Sequence, residues 1–363
     1  MIKEMEKALK RYLKGKNRIT MGVVVAFLLG SSFAFGDVTI KYEGSTIKIL
    51  DKSGNVTEIG TVTKNSANEF TWTLPEGVDI SETVKIDDTV NTNNIKVNIV
   101  NSGTISGSST GGDKSGNGIF SYSDTSSSII GNITNSGIIS GSTTGNGTHL
   151  GNGIFSRSNK STIGDIINNG IISGNGSSST SGNGIYSSSY RFDSYLESKI
   201  DNITNNGIIS GNDSDGYDSG NGIYAHSASI SNAYTSGASS TATSNSIIGN
   251  ITNNGTISGS TSNSNSIFAY TDYTNTIGKI INRGNIADGI FSGGLDAMTI
   301  ESILNSGIIT NANSANSDGI YIYSNSNPST IKLFSNTGVI MGSDNGIYIS
   351  GDSNSGIANY NNY

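Results

Sequence analysis

The fold of this chain follows from a short repeated segment, one copy of which reads Ile133-Thr134-Asn135-Ser136-Gly137-Ile138-Ile139. The pattern Asn-x-Gly-x-Ile occurs eight times, and the positions between the fixed residues vary. Alternate positions therefore keep the same residue while the positions between them vary, which is typical of a strand that packs on one face. The repeated Asn residues are Asn101, Asn135, Asn168, Asn205, Asn253, Asn282, Asn305 and Asn336.

A second motif follows each copy of the first, as in Asn152-Gly153-Ile154-Phe155. Its first two positions depart from Asn-Gly only at Ser266, Asp288 and Asp318. The aromatic residues that end it are Phe120, Phe155, Tyr186, Tyr224, Phe268, Phe291, Tyr321 and Tyr348. A third apolar segment precedes each Asn of the first motif. Three short β-branched segments per repeat predict three strands per turn, and therefore an all-β, right-handed parallel β-helix of about eight coils.

Stacking explains the fixed residues, because a single coil cannot bury its Ile side chains whereas neighbouring coils can align them in ladders. The Asn side chains are expected to hydrogen-bond their counterparts in adjacent coils, and the Gly residues to supply a positive φ at the bend. The aromatic residues should point away from the adjacent Ile, either outside the helix or into a widened interior. They form either a stacked structural column or a strip that binds sugar or peptide.

The repeats differ in length, and the excess residues recur at two places. They lie between the two motifs, as at Ser106–Ser115 and Gly174–Gly182, or after the aromatic residue, as at Ala225–Ser246. These inserts are rich in Ser, Thr, Gly, Asn and Ala, so they cannot enter the core. We expect them to project as surface loops on one side of the helix.

The N-terminus differs from the repeats. Residues 1–36 combine a basic start, an apolar stretch at Ile19–Leu29 and small residues at Ala34 and Gly36, which predicts a signal peptide cleaved before Asp37. Its removal would leave 14 basic and 26 acidic residues, a net charge of −12, which disfavours nucleic-acid binding. Residues 37–95 form alternating runs that predict an N-terminal β-cap, and residues 96–363 contain the repeats.

Residues suited to catalysis or metal binding are few. The chain has no Cys, and its two histidines, His149 and His226, fall in predicted loops. Gly351-Asp352-Ser353 resembles a hydrolase turn, but such triplets arise by chance in this composition. Asp213, Asp215 and Asp218 form the one acidic cluster, read as a solvated loop with a weak Ca²⁺ site as the alternative. No catalytic residue, cofactor or metal site is therefore assigned.

The N-terminal segment Glu6–Lys14, followed by Arg18–Leu28, resembles the extended signal peptides of fusobacterial type V autotransporters. The repeats, such as Asn135–Gly141 and Gly182–Tyr186, are similar to their passenger domains. The resemblance implies export, passage through an outer-membrane barrel and display at the cell surface, commonly for adhesion. The family's barrel is not recognisable after Gly338, which predicts that the chain is a fragment or that a separate translocator exports it.

The sequence thus predicts a non-enzymatic surface passenger that binds a protein or glycan ligand through loops on one side of the helix. A structural spacer is one alternative. A β-helical polysaccharide lyase or hydrolase is another, although paired carboxylates on successive coils are not evident in the repeats.

Overall fold

The computed structural model describes residues 33–110, 116–124, 127–145, 149–177, 181–191, 195–213, 219–229, 243–260, 264–311, 318–325 and 327–361. Residues Ala34–Tyr363 form one compact unit. The predicted signal peptide lies almost entirely outside the described residues. In the described part of the chain, the strands form three sheets, here named A, B and C.

Sheet A contains the strands that begin at the first motif. In spatial order, its ten strands are β1 (Phe33–Phe35), β6 (Val78–Ile80), β9 (Thr104–Ser109), β13 (Ile138–Thr143), β17 (Ile171–Asn175), β21 (Ile208–Ser210), β25 (Thr256–Ser258), β28 (Asn285–Ile286), β31 (Ile308–Asn311) and β34 (Val339–Gly342).

Sheet B contains the strands that carry the aromatic residues. In spatial order, its eleven strands are β3 (Thr46–Leu50), β2 (Val38–Glu43), β7 (Val84–Ile86), β10 (Ile119–Tyr122), β14 (Ile154–Ser158), β18 (Ile185–Arg191), β22 (Ile223–Ser229), β26 (Ile267–Thr271), β29 (Ile290–Gly294), β32 (Ile320–Ser324) and β35 (Ile347–Ser350).

Sheet C leads into the Asn of the first motif, and most coils cross it with two short strands or one long one. In chain order, its sixteen strands are β4 (Thr61–Ser66), β5 (Glu69–Leu74), β8 (Lys96–Asn101), β11 (Ser128–Ile130), β12 (Ile133–Asn135), β15 (Lys160–Ile163), β16 (Ile166–Asn168), β19 (Tyr195–Ile200), β20 (Ile203–Asn205), β23 (Thr243–Ile248), β24 (Ile251–Asn253), β27 (Thr274–Asn282), β30 (Met298–Asn305), β33 (Ser329–Asn336), β36 (Gly356–Ile357) and β37 (Tyr360–Asn361).

The chain is a parallel β-helix, as the repeats predict. Consecutive coils pair in parallel with motif residues in register, so that Asn135 pairs with Asn168 and Ile139 with Ile172. Most of the inward Ile side chains are fully buried, and the core they form runs as one cluster from Val38 to Phe334. The prediction that alternate residues of a strand face the core is confirmed by two adjacent residues, because Ile209 is 0% exposed and Ile208 is 43% exposed.

The Asn ladder of the first motif is also confirmed. From Asn101 to Asn305, each Asn of the motif donates from Nδ2 to Oδ1 of the motif Asn in the next coil, at distances between 2.7 and 2.9 Å. At the N-terminal end of the ladder, Asn101 Oδ1 is buried without a hydrogen-bond partner. The ladder ties the corner between sheets C and A to the same corner of the neighbouring coils.

The expected reason for the first-motif Gly is wrong. Positive φ values occur instead at Gly116, Gly151, Gly182 and Gly220, each immediately before the Asn of the second motif. At Gly207, a Cβ atom would lie 2.0 Å from the carbonyl oxygen of Gly170 in the preceding coil. The first-motif Gly is therefore required because the backbones of adjacent coils approach too closely for any side chain.

A buried serine network, which sequence reasoning missed, lies in the interior between sheets B and C. Ser128 Oγ lies 2.9 Å from Ser121 Oγ and 2.9 Å from Ser156 Oγ, and Ser161 Oγ continues the contacts to Ser156 and Ser187. Hydroxyl groups serve as both donor and acceptor, so such a ladder satisfies itself across coils.

At the N-terminal end, two antiparallel hairpins finish the sheets: β2 pairs with β3, and β4 pairs with β5. Strands β2, β3 and β5 thus lie in the region where alternating runs predict a β-cap, and every residue of edge strand β4 is exposed. Trp72 is buried, and its Nε1 donates to the carbonyl of Ile59 at 2.9 Å. Helix α1 (Asp88–Thr92) begins at the N-cap Asp87. A domain boundary at residue 95 stays a prediction.

Candidate functional site

The aromatic residues of the second motif stack along the outer face of sheet B. Ile119 belongs to the central core whereas Phe120 belongs to a separate aromatic cluster, because successive residues of a strand point to opposite faces. Tyr186 and Tyr224 stack with ring centroids 4.7 Å apart. The aromatic residues therefore lie on the outside of the helix and not in a widened interior, which are the two positions that the sequence leaves open. Most members are nonetheless buried, as Phe155, Tyr186 and Tyr224 are 0% exposed.

A second outward column lies two residues further along these strands. It includes Tyr122, Arg157, His226, Tyr270 and Tyr323, which are aligned by the parallel register. The ring of each aromatic member packs beside the first-column ring on its own strand. The centroids of the Tyr122 and Phe120 rings, for example, lie 6.3 Å apart. The second column thus helps to cover the first and presents its own half-buried side chains to solvent.

The two histidines pack against this aromatic surface. His149 lies in a loop, as predicted, and stacks on Phe155 at 5.6 Å. The prediction of a loop is wrong for His226, which lies in strand β22 and contacts Tyr224 at 5.7 Å and Tyr270 at 5.8 Å. Burial, with a smaller contribution from the positive charge of Arg157, lowers the pKa of His226 to about 4. His226 is therefore neutral at physiological pH.

The predicted inserts adjoin both sides of sheet B. One set joins a strand of sheet A to the following strand of sheet B, and the other joins sheet B to sheet C. Their predicted bounds were too wide. Residues 225–229 and 243–246 belong to strands β22 and β23, so that insert is confined to residues 230–242. The variable segments therefore attach at the two corners of the coil where the strands of sheet B begin and end.

A cavity of about 1130 Å³ lies at the N-terminal end of the outer face of sheet B, and we name it the N-terminal cavity. Phe120 and Tyr122 line it, together with Lys85, which pairs with Phe120 in the register of the sheet. Hydroxyl side chains, among them Ser142 and Thr144, come from the corner between sheets A and B. The cavity therefore continues the line of the aromatic column beyond its first member.

Five carboxylates and two lysines line the same cavity: Asp37, Glu82, Asp87, Asp88, Asp124, Lys52 and Lys85. Burial, and then the neighbouring Glu82, raises the pKa of Asp37. A hydrogen bond from Lys52 lowers the pKa of Glu82. The two neighbouring carboxyl groups therefore have pKa values that shift in opposite directions.

The other residues singled out in the sequence do not assemble into a reactive site. Asp213 is buried and its carboxylate accepts a hydrogen bond from Ser181 Oγ, whereas Asp215 and Asp218 lie outside the described residues. Asp352 accepts from the backbone N–H of Asn354 at 2.8 Å, which is a local turn. Within the described ranges, no three His, Asp or Glu side chains are grouped as metal ligands.

Sequence reasoning missed the N-terminal cavity. Its residues come from six separate stretches, and the pairing of β7 with β10 joins the N-terminal stretches to the first aromatic strand. The alternation Val84-Lys85-Ile86 placed Lys85 on an outer face, but nothing in that stretch identified Phe120 as its neighbour.

Comparisons with protein-family models, with curated proteins and with solved structures find no match to this chain. In the part of the chain that the structure describes, no helix has the length and apolar character needed to cross a membrane.

Proposed function

We propose that this chain is the passenger region of an exported surface protein of the autotransporter type, and that it binds a ligand non-enzymatically through the outer face of sheet B. The observation that supports the binding role most directly is the attachment of the variable inserts at both corners that border that face, where its strands begin and end. Binding residues commonly lie on loops that a rigid scaffold holds in place. A parallel β-helix is such a scaffold, because its core and Asn ladder are continuous.

The remaining outer surface is less suited to selective recognition. The outward column of sheet A includes apolar side chains such as Ile138, Ile171 and Ile208, which are between 37% and 43% exposed and offer no hydrogen-bonding groups. The connection from sheet C to sheet A keeps the same Asn-x-Gly length in every repeat, so this edge has no inserted loops. Ligand specificity is therefore assigned to sheet B and its two borders.

A cleaving enzyme is disfavoured by the arrangement of the carboxyl groups. Glycosidases hold two catalytic carboxyl groups about 5 Å or more apart, on either side of the bond to be cleaved. Asp37 and Glu82 are instead immediate neighbours: the backbone N–H of Asp37 donates to Glu82 Oε2 at 3.2 Å, and Glu82 also accepts from Lys52 at 3.2 Å. This pair therefore does not match the two separated carboxyl groups of a glycosidase.

Surface display and adhesion can be tested together in a diderm host. The chain is fused to an autotransporter barrel, and mass spectrometry of the surface-exposed product should give Asp37 as the N-terminal residue. Displaying cells should then adhere to epithelial monolayers or to neighbouring bacteria more than cells that display the barrel alone. Shortening the insert at 230–242 should reduce adhesion, whereas Ile208→Thr on sheet A should not.

Two results would contradict the proposal. Retention of residues 1–36 on the displayed protein would refute a cleaved signal peptide. Display without any gain in adhesion, or adhesion that depends on Ile208 and not on the inserts, would refute the binding role and favour a structural spacer.

A further inference from the structure

We propose that the N-terminal cavity is a saccharide-binding site. This inference rests on the proposed binding function of sheet B and assigns the ligand class to one part of that surface. The cavity, of about 1130 Å³, is slightly larger than the roughly 300–1,000 Å³ of a typical small-ligand pocket, so it has room for a few sugar units.

The aromatic lining is the first supporting observation. Phe120 and Tyr122 are stacked on each other with an interplanar angle of 17°, and the Tyr122 hydroxyl donates to the Asp124 carboxylate, which fixes the ring. Ring faces carry partial negative charge and attract the weakly positive C–H faces of apolar or amphipathic ligands. A pyranose ring presents such a C–H face and hydroxyl groups around its rim.

The state of the carboxylates is the second observation. Asp37 accepts from the backbone N–H of Thr83 at 3.1 Å, Asp87 accepts from that of Thr89 at 2.9 Å, and Glu82 pairs with Lys52. Each of these carboxyl groups is thus already oriented by an internal donor. Because a carboxylate has about four acceptor positions, each keeps further positions for hydroxyl donors.

This arrangement favours a neutral polyhydroxy ligand over a basic peptide. The five carboxylates outnumber the two lysines of the lining, but Glu82 is paired with Lys52, and Asp37 and Asp87 accept from backbone N–H groups. The aromatic and hydroxyl groups that line the same cavity are contacts that a sugar ring uses without charge pairing. Ser142 and Thr144 on the opposite border add hydroxyl groups that can both donate and accept, which matches the hydrogen-bonding capacity of sugar hydroxyls.

The test uses the purified protein and a panel of unbranched hexasaccharides of glucose, mannose, galactose and N-acetylglucosamine, with binding measured by calorimetry and saturation-transfer NMR. At least one member should bind with a Kd below about 1 mM. Affinity should change by less than about twofold when NaCl is raised from about 50 to about 500 mM, since no charge pairs form with the ligand.

Two residues provide a matched pair of variants. Tyr122→Ala should weaken binding at least about fivefold, because a stacked ring contributes about 1 kcal/mol or more. Tyr323→Ala is the control: Tyr323 occupies the same outward column, contacts Tyr321 at 6.4 Å and donates its hydroxyl to Asn325 at 3.1 Å, but lies outside the cavity. Its affinity should equal that of the parent.

A third variant addresses any folding defect in Tyr122→Ala. Thr144 is exposed at the border of the cavity, so Thr144→Arg should fold normally while its long side chain reaches into the cavity and blocks binding. Absence of binding by every hexasaccharide, or equal affinity in the parent and Thr144→Arg, would overturn the proposal. So would binding only of an oligolysine peptide that is lost at high salt. If adhesion of displaying cells persists in any of these cases, the proposed function stands and only the ligand class fails.

Discussion

Asn168 Nδ2 donates to Asn205 Oδ1 at 2.8 Å, and the same nitrogen lies 2.9 Å from the carbonyl oxygen of Ile208. Asn168 in turn accepts from Asn135 Nδ2 at 2.9 Å. One buried amide therefore joins three consecutive coils. Its loss removes the donor to the buried Asn205 Oδ1, whereas Asn135 Nδ2 keeps its contacts with Gly137 O and Ile171 O.

Asn168→Ala should lower the free energy of unfolding by about 3 kcal/mol, because each buried polar group that loses its partner costs about 1–3 kcal/mol. The neighbouring Asn169 gives a matched control. It accepts a similar bond from Asn206 Nδ2 at 2.8 Å but is exposed, so Asn169→Ala should cost less than about 0.5 kcal/mol. Urea unfolding followed by circular dichroism measures both. Equal losses would show that the ladder contributes no more than a surface hydrogen bond.

The two faces of strand β21 provide a second prediction. Ile209→Asp places a carboxylate in the buried Ile ladder and should reduce the melting temperature strongly or prevent folding, since a buried charge without a partner costs several kcal/mol. Ile208→Asp should change stability by less than about 1 kcal/mol, because residue 208 is 43% exposed. Similar melting temperatures for the two variants would contradict the assigned faces.

Much of the fold could be predicted because its determinants are local and repeated. The alternation around Ile208 and Ile209 fixes which side chain is buried, and the repeat aligns equivalent residues in neighbouring coils. The role of Gly207 could not be deduced from the same pattern. The pattern requires a small residue there, but only the 2.0 Å approach of a Cβ atom to Gly170 O identifies crowding between coils as the reason.

The candidate site was harder to predict because it depends on contacts between unrelated segments. The aromatic column was identified from its period, but whether Tyr186 is buried depends on what packs over it. The cavity is built where Lys85, in a non-repeating strand, pairs with Phe120, in the first aromatic strand. The sequence carries no periodic signal for that pairing.

The tight approach of the coils gives a third prediction. Gly207→Ala should destabilise the protein by about 3 kcal/mol, because the methyl group would force two backbones apart. The control is Gly346→Ala, where the nearest atom, Ile340 O, is 3.2 Å from the added Cβ and φ is not positive. That variant requires only a small adjustment, so its midpoint in urea should stay close to the parent value. Equal tolerance of both changes would refute backbone crowding as the reason for the first-motif Gly.

The half-buried position of His226 against the rings of Tyr224 and Tyr270 predicts a pH-dependent stability. Its folded pKa of about 4 lies below the usual value of 6.5, so the unfolded state binds more protons between these values. The stabilisation is therefore fully present above about pH 6.5 and is lost as the pH falls towards about 4, by up to about 3 kcal/mol. His226→Gln should remove this part of the dependence. The difference in unfolding free energy between parent and variant, measured from pH 7.5 to pH 4, isolates it from the carboxylates; a constant difference would contradict the assignment.

The insert at residues 230–242 should be dispensable for folding, because strands β22 and β23 end and begin at its borders. A natural template for a shorter connection exists within the same chain, where Asp272 and Tyr273 alone join β26 to β27. Replacing residues 230–242 with Asp-Tyr should keep the β-rich circular dichroism spectrum and change stability by less than about 1 kcal/mol, since closure entropy varies slowly with loop length.

A deletion of Ala228–Thr243 with the same linker is the comparison. It also removes the last two residues of β22 and the first of β23, which pair with β18 and β19, and it should therefore be the less stable of the two. Unfolding by the shorter deletion would mean that residues 230–242 contribute to the packed coil and do not form a loop attached to it.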